Sequence, residues 1–167
     1  MTNSISTPAR QPALVFLAVG GIAAVTASAA ATSSLALGFF PWAMFVGWVA
    51  WYTRPTSARQ GVATWLCLLG GLAFGALAVM ALRTLTPSLG IFALSAVVFV
   101  VALTVVSMRN LRLVDNIPAW FLGLIAFFAS HMEPGVISVA ELGATSAMGV
   151  GGGWLSMQLQ RRLAVAH

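Results

Sequence analysis

Six apolar stretches fill this chain almost end to end, at residues 12–31, 35–53, 61–82, 89–108, 117–131 and 136–158, and its arginines fall between them in alternate gaps. A helix needs about 20 apolar residues to cross about 30 Å of hydrocarbon, and all but the fifth stretch come near that length. With an even number of crossings, Arg10, Arg54, Arg59, Arg109, Arg112, Arg161 and Arg162 share one side of the bilayer and only Arg83 lies on the other. Basic residues collect on the cytoplasmic side of membrane proteins, so this asymmetry predicts six crossings with both termini cytoplasmic. The expected fold is all-α: a polytopic membrane bundle of about six transmembrane helices, some broken by Pro or Gly. A disordered cytoplasmic tail at 1–11, a single transmembrane domain at 12–160 and a cytoplasmic tail at 161–167 complete the expected organisation.

Composition excludes several classes. Hydrophobic residues make up 60% of the chain and charged residues 7%, against about 25% charged in soluble domains. The isoelectric point near 11.5 does not signal a nucleic-acid partner, because the arginines stand at segment ends without a basic stripe or interleaved aromatics; anionic lipid headgroups explain them better. The lone Cys67 forms no internal disulfide and has no metal-binding companions, so it reads as a small buried hydrophobe. Arg10 and the Ala27-Ser28-Ala29 run imitate a signal peptide, yet five apolar segments follow and an uncleaved first helix is expected. No nucleophile–base pair, paired carboxylates, haem attachment or histidine cluster is present in motif spacing. The expectation is a protein that is not an enzyme and takes no cofactor or metal.

Within the segments, small residues and helix breakers carry most of the information. Gly20, Gly21, Ala23, Ala24, Ala27, Ser28, Ala30 and Ala31 make the first helix smooth, which predicts a place inside the bundle. Thr32-Ser33-Ser34 reads as a tight turn. Gly38 and Pro41 predict a kink or break in the second segment, leaving open whether 35–53 spans or re-enters. Trp51 and Tyr52 beside Arg54 mark an interface, whereas Trp42 and Trp48 lie deeper and either fill a core or line a route. Gly71 and Gly75 are spaced for close helix packing. So are Gly143, Ala147 and Gly151 in the last segment, with Thr145, Gly149 and Gly153 on its adjoining face. The glycine run 149–153 also invites a local break. The Val-, Leu- and Phe-rich fourth segment is the expected lipid-facing wall. Asp115 and Asn116 before Ile117-Pro118 look like a helix start, with Asp115 as a cap or as a partner of Arg112.

Few ionisable groups lie at membrane depth. Glu141 falls about six residues into the last helix, on the order of 9 Å from its end, where a carboxylate is costly unless it faces protein or water. It has either a pathway role, proton-linked or not, or a structural hydrogen-bonding role. His131 and Glu133 flank the preceding turn, as a plain interfacial pair or as an outer vestibule shared with Glu141.

Two motifs, Leu37-Gly38-x-x-x-Trp42-Ala43-x-Phe45-x-Gly47 and Pro118-x-x-Phe121-x-Gly123-x-x-Ala126-x-Phe128-Ala129, resemble the YcdZ-like family of small bacterial inner-membrane proteins. The resemblance implies membrane class, bacterial origin and a compact helical fold, and it implies no catalytic residues. This chain departs from one member of that family in its longer N-terminal tail and in the acid at Glu141.

Each motif joins a Pro or Gly break to aromatics, and broken helices at depth are tolerated where they line a cavity or are buried. The first functional expectation is therefore a channel or facilitator for a small, mostly uncharged solute in the bacterial inner membrane. Its expected lining is Phe40, Pro41, Trp42, Phe45, Trp120, Phe121 and Phe128, with His131 and Glu141 near the outer mouth. Helices one to three echo four to six, which would make the halves inverted repeats. A homo-oligomer, with a trimer as the first arrangement, is expected from the spare glycine faces. The alternative, from another class, is a non-transporting subunit or scaffold of a larger membrane complex.

Overall fold

The structure is a computed structural model that describes residues 13–54 and 57–165. The expected N-terminal tail, Arg10 and His167 lie outside the described residues. Six α-helices follow one another: α1 (Ala13–Ala36), α2 (Pro41–Thr53), α3 (Ala58–Leu89), α4 (Phe92–Ser107), α5 (Ile117–Ser130) and α6 (Val136–Val165), with a 3₁₀ turn at Met108–Asn110 leading out of α4.

Side-chain chemistry sets the helix ends. The Ser57 hydroxyl accepts from the Gln60 amide at 3.3 Å and caps α3; the Asn116 side chain accepts from the Ala119 amide at 3.4 Å and caps α5. Pro41 and Pro118 stand in the first turns of α2 and α5, where a missing amide leaves no helical bond unmade. Gly38, with φ of 76°, lets the chain turn from α1 into α2. His131 closes α5 in the left-handed region at φ 53°, the one non-glycine residue to do so among those described.

Several local expectations are corrected. Thr32-Ser33-Ser34 is helical, and the break falls at 37–40. Of the kink or break expected from Gly38 and Pro41, the break is present: the left-handed Gly38 ends α1 and Pro41 starts α2. The glycine run in α6 does not interrupt the helix, and α6 continues far enough to hold Arg161 and Arg162. The first helix is not inside the bundle: 6% of its apolar window is buried, against 39% for α3. Smoothness does not by itself draw a helix inward: Gly20 and Gly21 meet nothing within 4 Å, and the close contacts are made by glycines of other helices. The fourth helix, as expected, turns Phe92, Leu94, Val98, Phe99 and Leu103 outward.

Packing follows one scheme used twice. The two most extensive interfaces join α3 to α5 and α2 to α6; α4 then leans on α3 and α1 on α6, and α3 meets α6. Glycines make both principal interfaces possible. A methyl on Gly71 would fall on the Trp120 carbonyl, and one on Gly123 on the Leu68 carbonyl; on the other side Gly149 lies against the Met44 carbonyl and Gly47 against that of Ser146. The next turn repeats the match, with Gly75 under Phe127 and Gly153 under Trp51. The contacts of α3 with α5 thus correspond, at constant offsets, to those of α6 with α2. Trp51, Phe127, Met44, Leu68, Leu72 and Leu142 fill the core between them.

Candidate functional site

The helices α2 and α5 have 13 and 14 residues, about 20 Å each at 1.5 Å per residue, while α3 and α6 run well over 40 Å. Both short helices begin after a break in the chain, so their first turns present backbone and side chains partway along the long helices that carry them.

At the start of α5 a polar cluster ties three helices together. Asn116, 4% exposed, donates both amide hydrogens: one to Thr53 Oγ1 at the end of α2 (2.7 Å) and one to Thr64 Oγ1 in α3 (3.0 Å). Its carbonyl oxygen caps its own helix, so every strong bond it can make through nitrogen is used. Asp115 meets Arg54 at 2.5 Å across the same junction, and the Trp120 indole donates to the Val114 carbonyl at 2.9 Å. The cap is Asn116, not Asp115, and the partner of Asp115 is Arg54, not Arg112. Because the Arg54 and Asp115 side chains are 42% and 29% exposed, a double-mutant cycle with Arg54→Gln and Asp115→Asn is expected to return a coupling of only about 0.2–1 kcal/mol.

The first turns of α2 are built differently. Phe39 and Phe40 stand where α5 has Asp115 and Asn116, and Leu142 takes the place of Thr64. The polar groups here lie along α6: Ser138, Thr145 and Ser146 are buried, and Glu141 between them is half-buried. The Thr145 and Ser146 hydroxyls donate to the carbonyls of Glu141 (2.7 Å) and Gly143 (2.9 Å). Near the end of α1 the Ser34 hydroxyl is fully buried without a partner, which is costly in a low-dielectric interior.

The aromatic residues expected along a route are dispersed. Trp120 is buried beneath Gly70 and packs against Phe74 with ring centroids 5.5 Å apart. Phe40, Trp42, Phe45, Phe121 and Phe128 are all on the outside, each between 37% and 43% exposed. Phe40 and Trp42 neighbour each other at 6.2 Å; Phe121 and Phe128 share an apolar groove with Leu94, Val98 and Val101 of α4. Pro41 is at the first turn of α2. The packing positions Gly71, Gly75 and Gly143 lie against side chains or backbone of neighbouring helices, Ala147 is half-buried, and Gly151 faces open space.

At the other end of the bundle His131 is exposed, and Arg83 grips Glu133 through two hydrogen bonds of 2.7 and 3.1 Å. Those hydrogen bonds, and then the guanidinium charge, hold the Glu133 carboxyl below its ordinary range. A depressed carboxyl contributes above its unfolded value and loses that contribution as pH falls through the folded one. The small melting difference between wild type and Arg83→Gln near neutral pH is therefore expected to vanish on acidification.

Nothing in the sequence joins Asn116, Thr53 and Thr64 as a cluster; Asn-x-Pro before an apolar run is the one available sign, and it reports only the cap. Among the described residues no three His, Cys, Asp or Glu side chains gather as a metal site.

Val15–Ala36, Ala58–Leu89 and Phe92–Asn110 are each long and apolar enough to cross a membrane, and α5 is a shorter apolar helix. With these helices packed into one all-α bundle, the chain is a multi-pass membrane protein. It belongs to the DUF1097 family, described as a protein of unknown function, whose family model matches residues 17–161. No curated protein and no solved structure matches the chain.

Proposed function

We propose that this protein is a facilitator for a small, mostly uncharged solute in the bacterial inner membrane, with six crossings, both termini cytoplasmic, and two halves related as inverted repeats. The observation that carries the reading is the pair of short helices α2 and α5, each begun by a proline after a break and each seated through glycines on a different long helix. Three helices per half invert the second half relative to the first, and interrupted helices at matching places in two such halves are the recurrent way of exposing backbone to a solute. The arginine asymmetry supports the orientation. The narrower likeness to YcdZ-like proteins rests on the same two places, since its first motif spans the break and the start of α2 and its second lies on α5.

The route this reading favours runs beside α6, past Glu141 and the hydroxyls of Ser138, Thr145 and Ser34, which offer hydrogen bonds without a fixed charge. The outward aromatics Phe40, Trp42 and Phe45 line a route only where a second subunit closes over them, so their role is tied to a homo-oligomer such as a trimer. Their exposure also favours the second reading, a non-transporting subunit whose aromatic faces meet another protein. Catalysis has no part in either.

Stopped-flow light scattering on proteoliposomes separates the two. A facilitator gives shrink–swell kinetics faster than empty liposomes for at least one small neutral solute, and Glu141→Gln alters that flux. Permeability equal to that of empty liposomes for every solute in the panel supports the subunit reading. Flux that is fast but unchanged in Glu141→Gln removes Glu141 from the route.

A further inference from the structure

On the face shared by α3 and α6 an open groove of about 270 Å³ is floored by Gly61, Ala147 and Gly151 and walled by Trp51, Trp65 and Trp154. A methyl added at Gly151 would meet nothing within 4 Å, so the floor is not filled by the chain itself. Trp65 spends its indole N–H on the Gly143 carbonyl, but the Trp51 indole N–H, though buried, has no acceptor among the described residues. The groove lies at the end of the bundle where α2 finishes and α3 begins, so its three tryptophans sit where indoles favour the boundary between hydrocarbon and headgroups.

Charge identifies the occupant. Arg59 stands in the first turn of α3, between the lining residues Ala58 and Val62. Arg161 falls fourteen residues beyond Ala147 on α6, about four turns, and so continues the face that lines the groove. Both arginines are exposed. The chain has three carboxylate side chains, Asp115, Glu133 and Glu141. The first two are paired with Arg54 and Arg83. Glu141 is twenty residues before Arg161 on a continuous helix, about 30 Å away. Among the described residues neither Arg59 nor Arg161 is within salt-bridge distance of a carboxylate, which leaves both guanidinium groups open to an external anion.

We infer that this groove is a binding site for one anionic phospholipid: an acyl chain lies on the glycine floor between the tryptophans, and the phosphate is held between Arg59 and Arg161. Basic residues at the mouth of an apolar inter-helix groove are the general recipe for retaining acidic lipids. The assignment does not depend on the transport reading, and neither activity nor its absence in proteoliposomes bears on it.

Native mass spectrometry of the full chain, released from nonionic detergent containing equal amounts of dioleoyl phosphatidylglycerol and dioleoyl phosphatidylcholine, tests it. One phosphatidylglycerol per chain is expected to be retained in preference to phosphatidylcholine. The Arg59→Gln/Arg161→Gln variant, altered only at exposed side chains, is expected to lower that retention about tenfold or more. Gly151→Leu, whose Cβ meets no neighbour within 4 Å and whose isobutyl group fills the floor, is expected to abolish retention while the helical circular dichroism stays unchanged. Equal retention of the two lipids overturns the assignment, as does undiminished phosphatidylglycerol binding in the double arginine variant. A lipid-free dimer that Gly151→Leu converts to monomer also overturns it, and places a second copy of the chain in the groove.

Discussion

Gly149→Ala is expected to produce one of the two largest losses of stability available to a single substitution in this chain. The added methyl would fall on the Met44 carbonyl oxygen and 2.6 Å from the Trp48 amide nitrogen. Both are backbone atoms of a helix, and neither can rotate aside as a side-chain tip would. Relief requires α2 to lift from α6 along its length, and overpacking of this kind costs about 1–3 kcal/mol even where side chains can adjust. The destabilisation should lie at or above the upper end of that range and appear as a loss of monodisperse protein on heating in detergent. Gly47→Ala, which meets the Ser146 carbonyl from the other side, should behave alike. Gly151→Ala is the internal comparison: two residues further along the same helix, its methyl meets open space, and its thermal transition should stay within the small range of ordinary surface changes. If Gly149→Ala melts with Gly151→Ala, the α2–α6 contact is not as close as described.

The second large effect belongs to Asn116. Alanine there removes the cap of α5, worth about 1 kcal/mol, and both bonds to Thr53 and Thr64, each worth about 0.6 kcal/mol on average between membrane helices. The Ala119 amide keeps its 3.1 Å bond to the Asn116 backbone carbonyl, so no buried donor is orphaned. The expected total is about 2–3 kcal/mol. Asn116→Ser divides that total, because a serine hydroxyl can still cap the helix but is too short to bridge Thr53 and Thr64. Reversible unfolding in mixed micelles should place Asn116→Ser between wild type and Asn116→Ala. Equal losses for the two variants would mean that the bridge, and not the cap, holds the junction.

The legible part of the fold was the part written in composition and spacing. Apolar run length located all six helices, and the four-residue glycine spacing marked positions such as Gly71, Gly75, Gly149 and Gly153, all of which meet backbone or the root of a side chain. What spacing does not state is which partner a smooth face receives. The glycines of α6 receive α2, whereas the equally small residues of α1 remain on the outside, because only one helix can take each groove and the aromatic-rich α2 gains more by filling it. The aromatics of α2 and α5 were visible as a pattern, but their direction was not. Gly47 and Gly123 must face the long helices, so Phe45 and Phe121, two residues earlier in each helix, are turned outward. The Asn116 cluster was illegible for another reason: Thr53, Thr64 and Asn116 are far apart in sequence, and each alone is an ordinary residue at a helix end.

The partnership of α2 and α1 with α6 has a consequence for the order in which the chain assembles. Everything α3 needs from α4 and α5 has been synthesised by Ser130, so residues 58–130 can associate as a three-helix unit while translation continues. The two N-terminal helices, made first, have their principal partner in α6, made last. Until that helix emerges, the Met44 and Gly47 face of α2 is without its mate, in a chain whose first and last thirds must meet. Docking along the glycine seam of α6 is thus expected to come last in biogenesis. Substitutions at Gly149 and Gly153 should leave a membrane-inserted but unfinished protein, with its first two helices waiting for a surface that no longer fits them.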